Sequence, residues 1–267
     1  MKRIALILGY DGSRFSGWQT QPGGGAVQDA LEASLAALAG HSVRVTCAGR
    51  TDTGVHATAQ VVHFDTEAAR LPQAWVRGTN ARLPATVAVL HAQEVEPDFH
   101  ARFSARSRCY IYLIHRAAVR HPLWVGRAGW VFRNLDVAAM RAAAQRLVGE
   151  HDFSAFRSSQ CQAKTPVRRL TTLTVEESGP LVALRFEGNA FLHHMVRNIV
   201  GSLVYVGIGR QPEDWIGTVL AGRDRGLAAP TFSPEGLYLQ AVTYDGRFGL
   251  PAPPPGMPLW QGKSLLE

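Results

Sequence analysis

Residues 49–57 (Gly-Arg-Thr-Asp-Thr-Gly-Val-His-Ala) bring two glycines, an arginine and an aspartate together in one short segment. The segment lies between two β-branched runs, residues 43–48 and 58–64, so it predicts an ordered loop between two strands. Loops too long for a tight hairpin commonly carry function. Asp52 is therefore a candidate reactive carboxylate. The spacing leaves one alternative open, an Asx-turn at Asp52 with Arg50 as a surface cation.

Arginine and aromatic side chains alternate in residues 99–135, which contain no Asp, Glu or Lys. We call this stretch the arginine belt, and the charge of its arginines equals the formal net charge of the whole chain, +7. The belt arginines are Arg102, Arg106, Arg108, Arg116, Arg120, Arg127 and Arg133. Cations interleaved with rings are typical of a surface on which a nucleic-acid strand lies and stacks. A solvated face and an acidic soluble partner are the alternatives.

A second stretch without acidic residues, residues 153–175, adds Arg157, Lys164, Arg168 and Arg169. Arginine supplies a rigid fork of donors that matches phosphate geometry. Both stretches therefore favour a polyanionic partner.

The composition excludes a disordered chain and gives no sign of export. The 267 residues suffice for one large domain or two ordinary ones, with 46 % hydrophobic and 18 % charged residues. Three scattered cysteines without a C-x-x-C pair predict no disulfide framework, which fits a reducing compartment. The apolar run at residues 4–8 is too short for a signal peptide, and His193, His194 and Arg197 interrupt residues 191–209 before a membrane span is complete. We expect a cytoplasmic protein without a membrane anchor.

No motif indicates a cofactor. The chain lacks a G-x-x-x-x-G-K-[ST] loop, and Gly207-x-Gly209 has no third glycine at the dinucleotide spacing. The adjacent His193 and His194 would project about 100° apart on a helix and belong to no H-E-x-x-H set. We expect a reaction that needs neither a nucleotide cofactor nor a metal.

The first half of the chain predicts the order βαββαβ. The expected strands are residues 3–9, 43–48, 58–64 and 87–95. The expected helices begin at Val27, with Gly40 as the stop, and at Gln73, ending near Arg82.

The second half predicts a similar order. We expect strands at residues 108–114, 170–176, 181–186 and 237–244. The expected helices are residues 137–148, capped by Asp136, residues 191–206, and a shorter one between Pro212 and Gly222.

The element order predicts an α+β protein of two RRM-like or ferredoxin-like halves, residues 1–105 and 106–248. We expect the halves to form one extended, largely antiparallel sheet with a central basic cleft. The proline-rich residues 249–267 cannot continue a sheet and are expected to be extended.

The chain resembles the TruA family of tRNA pseudouridine synthases, whose catalytic aspartate lies in a Gly-Arg-Thr-Asp-x-Gly-Val-His-Ala loop. Further family motifs follow in order over almost the whole chain: Tyr10-Asp11-Gly12, Gly17-Trp18-Gln19, residues 99–105, Arg108-x-Tyr110, residues 151–156, 164–168 and 191–198, and Gly236-Leu237. Thr53 stands where the family commonly has a small Ala, and Cys47 precedes the loop. Neither departure touches a reacting residue, and the proline-rich tail is outside the resemblance.

The resemblance implies a homodimer that isomerises uridines at positions 38 to 40 of the tRNA anticodon stem-loop without a cofactor. Asp52 takes the place of the catalytic aspartate, which attacks the uracil ring or the ribose carbon or takes a ribose proton; the sequence does not choose among these. Arg50 is expected to enter the duplex or to hold the phosphate while the uridine swings out.

Two further residues match the family's active site. Tyr110 would stack on the flipped uracil and help to remove the C5 proton. Tyr112 points the same way on a strand and is expected in the core, and an aromatic core ladder of both tyrosines is the alternative. A carboxylate in a closed pocket needs a nearby cation to stay ionised, and Arg197 matches that partner. On a helix Arg197 lies about 120° from the apolar stripe, so a boundary arginine covering the apolar face is its alternative role.

For the remaining RNA contacts we expect Arg102, Arg106, Arg116, Lys164 and Arg168 to bind tRNA phosphates. Two rival functions remain: a catalytically silent RNA-binding module that uses the same cleft, and a uridine methyltransferase. The second would need a methyl-donor pocket, for which the sequence gives no motif.

Overall fold

The computed structural model describes residues 1–252, which form two compact units. Unit 1 comprises residues 1–108 and 238–252, and unit 2 comprises residues 109–237. The proline-rich tail from residue 253 onward, which we expected to be extended, lies outside the described residues.

The strands in the described part of the chain are β1 (Lys2–Tyr10), β2 (Thr46–Cys47), β3 (His56–Thr66), β4 (Val87–Val95), β5 (Ser107–Arg116), β6 (Gly129–Val131), β7 (Gly149–Asp152), β8 (Val167–Ser178), β9 (Leu181–Gly188) and β10 (Leu237–Thr243). The α-helices are α1 (Val27–Ala39), α2 (Pro72–Asn80), α3 (Val137–Gln145), α4 (Met195–Gly207) and α5 (Trp215–Gly222). The predicted fold class, α+β with mostly antiparallel strands, is confirmed.

In unit 1 the strand order is β4-β1-β3-β10, with β2 beside β3. Strand β1 runs antiparallel to both β3 and β4, whereas β10 runs parallel to β3, with Tyr238 opposite His56. Nearly every residue of β3 is buried, as expected for a central strand covered on both faces. The predicted βαββαβ order of this half is present in β1, α1, β2, β3, α2 and β4.

In unit 2 the strand order is β5-β9-β8-β7, with β6 beside β5. Strands β8 and β9 form an antiparallel hairpin that begins at the pair Ser178 and Leu181. Helix α3 begins after Asp136, whose carboxylate accepts a hydrogen bond from the Ala139 N–H. Two short strands of this unit, β6 and β7, were not predicted from the sequence.

Three differences from the predicted elements bear on the site. The strand expected at residues 43–48 is only β2, because the Val45 N–H donates to Glu32 Oε1 (2.9 Å) instead of to a strand. The helix expected from residue 191 begins only at Met195. His194, just before it, has a left-handed φ of 63°, so the helix cannot extend further toward the N-terminus. The last strand, β10, which element order assigned to the second half, belongs to unit 1, where it pairs with β3.

In residues 1–252 no helix is both long enough and apolar enough to cross a membrane.

Candidate active site

The loop that carries Asp52 connects β2 to β3 in unit 1, as predicted, and its backbone is fixed on several sides. The Trp18 N–H donates to the Thr51 carbonyl (2.9 Å), and the Val55 N–H donates to the Asp52 carbonyl (3.1 Å). The Thr51 hydroxyl lies 2.8 Å from the hydroxyl of Tyr10, a buried residue of β1. Asp52 is therefore a half-buried residue on an anchored loop rather than on a mobile one.

Two glycines of the segment after β1 allow this close packing. A Cβ on Gly12 would lie 1.9 Å from the Val55 carbonyl oxygen, so no larger residue fits there. Gly17 has a φ of +95°, and a Cβ there would lie 2.8 Å from the Thr51 carbonyl oxygen. The motifs Tyr10-Asp11-Gly12 and Gly17-Trp18 thus support the aspartate loop, a role that was not predicted from their sequence.

His56 closes the end of the loop where β3 begins. Its ring is buried and stacks on Tyr238 of β10 with 4.6 Å between the ring centroids. The Gly12 N–H donates to His56 Nδ1 (3.1 Å), which links β3 to the segment after β1. His56 therefore holds the loop and its neighbours together.

Cys47, just before the loop, is not a competing nucleophile. Burial raises the pKa of its thiol to about 12, although nearby Arg50 opposes that effect, so the thiol stays protonated at neutral pH.

The arginines that we predicted to bind RNA in unit 1 have different surroundings. Arg50 and Arg102 are exposed, and the Arg102 guanidinium lies 5.5 Å from the ring centroid of Phe103, which is also exposed. Arg106 is exposed but forms an ion pair with Asp245. Unlike these, Arg108 is buried and donates to backbone carbonyls, including that of Ala48 (3.1 Å) before the aspartate loop, so it serves the fold.

Tyr110 and Tyr112 both lie on β5 in unit 2 and differ in their contacts. Tyr110 packs edge-to-face on Phe191, with 5.0 Å between the ring centroids. The Tyr112 ring is fully buried, and its hydroxyl donates to the Ser233 carbonyl (2.7 Å). Burial raises the pKa of the Tyr112 hydroxyl above its usual range. Tyr112 is therefore a core residue, as expected, and Tyr110 stays the candidate.

Arg197 lies in the first turns of α4, and its side chain is half-buried, as the helical spacing predicted. Its Nε donates to the Phe232 carbonyl (2.9 Å), while the Phe232 N–H donates to the Arg197 carbonyl (3.2 Å). This reciprocal pair fixes the direction in which the guanidinium leaves the helix.

The other cations of unit 2 that we predicted to bind RNA differ in their exposure and in their partners. Lys164 is exposed, whereas Arg168 donates to the carbonyls of Thr165 (2.8 Å) and Val167 (2.6 Å). Arg116 forms an ion pair with Glu177 (3.2 Å), which offsets its charge. Unit 1 thus carries Asp52, Arg50, Arg102 and Arg106, and unit 2 carries Tyr110, Arg197, Arg116, Lys164 and Arg168.

An aspartate on an anchored loop and exposed arginines on both units of this α+β fold suit an enzyme that acts on a polyanion. A family model described as tRNA pseudouridine synthase matches residues 6–104 and 143–245. The chain therefore belongs to the tRNA pseudouridine synthase family.

Curated relatives agree over nearly the whole length. The chain is 60 % identical to a tRNA pseudouridine synthase A from Bordetella petrii, with 94 % of each chain covered. It is 58 % identical to one from Bordetella avium, with 94 % of this chain and 95 % of the relative covered. The relative from Paraburkholderia xenovorans is 56 % identical, with 97 % of this chain and 96 % of the relative covered. A solved structure titled as a Cbf5-Nop10-Gar1 complex aligns with a TM-score of only 0.35 at 13 % identity, covering 91 % of this chain and 58 % of the other, which is too distant to support a conclusion.

Proposed function

We propose that this protein converts uridine to pseudouridine in tRNA, at positions 38 to 40 of the anticodon stem-loop, with Asp52 as the catalytic carboxylate. The observation that carries the proposal is the aspartate loop, which lies in a segment matched by the family model and is held rigidly by Tyr10, Gly12 and Trp18. A positioned carboxylate is the group that the reaction needs most.

The reaction breaks the bond between N1 and C1′ of uridine and joins C1′ to C5. The C5 proton leaves and N1 gains a proton, so atoms balance without water, an oxidant or nucleotide energy. Asp52 acts by attacking the uracil ring or the ribose carbon or by taking a ribose proton.

Tyr110 and Arg197 assist Asp52 in the proposed reaction. The ring of Tyr110 stacks on the flipped uracil, and its hydroxyl takes part in removing the C5 proton. Arg197, whose direction is fixed by Phe232, provides a counter-charge for the Asp52 carboxylate. Arg50 occupies the space that the uridine vacates or binds its phosphate.

The protein is further proposed to act as a homodimer in the cytoplasm. The support is the resemblance to the TruA family. Light scattering of the purified protein measures the oligomeric state, and a monomer at micromolar concentration would contradict the dimer.

The decisive experiment is turnover on tRNA. The purified protein is incubated with tRNA from a strain that lacks the corresponding gene, and pseudouridine is mapped at single-nucleotide resolution. Conversion at positions 38 to 40 is the expected result. Tight binding without conversion would indicate the catalytically silent RNA-binding module, and conversion elsewhere would overturn the proposed site.

A further inference from the structure

Unit 2 contains a cavity of about 710 Å³ that the proposed catalytic residues do not line. It lies between the start of α4, the turn that follows β7 and the segment after α5. Its polar lining includes Arg157, Arg223, Arg225, Ser158, Asn198 and Thr231.

Two of these arginines are held in place by neutral groups. Nη2 of Arg157 donates to the carbonyls of Cys161 (2.6 Å) and Ala163 (2.9 Å). Nη2 of Arg225 donates to Asn198 Oδ1 (3.2 Å) and to the Thr231 hydroxyl (3.3 Å). In residues 1–252 neither arginine has an ion pair with a carboxylate. Both guanidinium groups are therefore oriented without a direct ion pair, although the charge of Arg157 also acts on the Asp152 carboxylate. Oriented guanidinium groups of this kind are suited to binding an anion.

Asn198 organises this wall of the cavity. The residue is fully buried, and its Nδ2 donates to the Phe156 carbonyl (2.8 Å). That bond orients the amide so that Oδ1 accepts from both Arg225 and Thr231. A buried amide in this role costs desolvation unless its bonds are made, so the arrangement fixes Arg225 in a single direction.

The remaining charges leave the cavity positive. The Nε of Arg223 lies 3.7 Å from Asp152, a long ion pair, and the Arg223 side chain is 68 % exposed. Asp224 also lines the cavity, and one of its oxygens accepts from the Gly226 N–H. Three guanidinium groups in the lining thus outnumber two carboxylates, Asp224 in the lining and Asp152 beside Arg223.

We propose that this cavity is a phosphate-binding subsite that takes a backbone phosphate of the RNA substrate, with Arg157 and Arg225 as its main ligands and Arg223 at its rim. The proposal rests on the proposed function, because that function supplies the RNA. Guanidinium forks match phosphate oxygens, and a phosphate contact fixes the register of the RNA without reading its sequence. The volume is sufficient for a nucleotide.

The first test compares charge-removing variants by equilibrium binding of tRNA at several salt concentrations. Arg157→Gln is expected to weaken binding about tenfold and to reduce the slope of log Kd against log salt by about one unit. Arg223→Gln is a second variant that tests the rim and should leave the fold intact, because its exposed side chain holds no backbone carbonyl of residues 1–252. We expect a smaller effect from it, in the same direction.

The matched control is Arg210→Gln. Arg210 is an exposed arginine beyond the opposite end of α4, where its guanidinium lies over the ring of Tyr205. Its removal takes the same charge from the same unit and should leave tRNA affinity and salt slope within twofold of the wild type. Thermal melting confirms that each variant is folded.

A second test identifies the phosphate. An anticodon stem-loop RNA carries a single uncharged methylphosphonate linkage, moved one position at a time. At one linkage the methylphosphonate should lower the affinity of the wild type for this RNA by as much as Arg157→Gln does. In the Arg157→Gln variant the same linkage should cause no further loss, which is the result a double-mutant cycle gives for two groups in contact.

The outcomes separate the possible sources of the anion. If no linkage couples to Arg157 while inorganic phosphate at constant ionic strength protects the wild type against thermal unfolding, and not Arg157→Gln, the site binds free phosphate and our RNA assignment is wrong. If Arg157→Gln and Arg223→Gln both behave like the Arg210→Gln control, the subsite is refuted. A wild-type protein that binds but does not isomerise tRNA would refute the proposed function while leaving this binding test intact.

Discussion

Asp52 is the residue at which catalysis and binding should separate. Asp52→Asn retains the size of the side chain and part of its hydrogen bonding but removes its charge and nucleophilicity. We expect turnover to be abolished, while tRNA binding persists because the arginines supply most of the affinity. Pseudouridine formation and tRNA binding are measured on the same preparation.

The control for this experiment is Glu67→Gln, which removes a carboxylate from an exposed position after β3. It should retain full turnover. Normal turnover by a folded Asp52→Asn protein would refute the catalytic assignment. Loss of both binding and turnover would make Asp52 part of RNA recognition instead.

The two tyrosines of β5 provide a matched pair at the same scale. Tyr110→Phe keeps the ring but loses the hydroxyl, so we expect single-turnover rates to fall about a hundredfold with tRNA affinity unchanged. Tyr112→Phe breaks the buried hydrogen bond to Ser233 and should lower the free energy of unfolding by about 1 kcal/mol without changing the rate. Equal rates for Tyr110→Phe and wild type would exclude a proton-transfer role for Tyr110.

At the scale of elements, the aspartate loop depends on the segment that follows β1. Gly17→Ala places a Cβ 2.8 Å from the Thr51 carbonyl at a φ of +95°, so the loop must shift. We expect turnover to fall at least tenfold and the free energy of unfolding to drop by about 1–3 kcal/mol. Rates and urea unfolding measure the two effects.

Gly23→Ala is the control in the same segment, because no described atom lies within 4 Å of a Cβ there. It should leave both quantities near the wild type. If Gly17→Ala is as active as Gly23→Ala, the loop does not need this support.

The elements also show which structural features can be predicted from sequence. The aspartate loop between two strands and the boundary position of Arg197 follow from local patterns, and both are confirmed. The predicted start of α4 was wrong because His194 has a left-handed backbone. Such a backbone is expected at glycine, and nothing in the sequence indicates it at a histidine. The close approach of Gly12 to Val55 joins residues far apart in the chain, so spacing within one segment does not reveal it. For the same reason the acids that pair with Arg106 and Arg116 were not foreseen.

At the scale of the whole molecule, the arginine belt should determine how tRNA binding depends on salt. Arg102→Ala should reduce the salt slope by up to about one unit, because no described carboxylate forms an ion pair with Arg102. Arg106→Ala and Arg116→Ala should have smaller effects, since Asp245 and Glu177 already offset those charges. An unchanged salt slope in all three variants would show that the tRNA phosphates do not bind at these residues.

Stability should fall in mildly acidic solution because of a buried histidine. Burial, aided by Arg3 and His100, lowers the pKa of His63 to about 4, and the Ala101 N–H donates to its Nδ1. Between pH 6.5 and 4 the unfolded chain therefore binds a proton that the folded protein does not, so stability is lost as the pH falls through this range. The loss amounts to at most about 3 kcal/mol.

Urea unfolding at pH 7, 6 and 5 measures this effect before most carboxylates titrate. His63→Gln, which cannot titrate, should show a flatter dependence on pH. Parallel curves for the variant and the wild type would contradict the role of His63.

The return of β10 to unit 1 has a consequence for the order of events during protein synthesis. Tyr238 lies opposite His56 at the end of the aspartate loop, and 181 residues separate the two in the chain. A growing polypeptide can therefore complete the surroundings of its proposed catalytic loop only after almost all of the sequence has left the ribosome. A nascent or truncated chain that ends before β10 would lack the strand against which His56 stacks, so that it could expose arginines to cellular RNA before it could modify any.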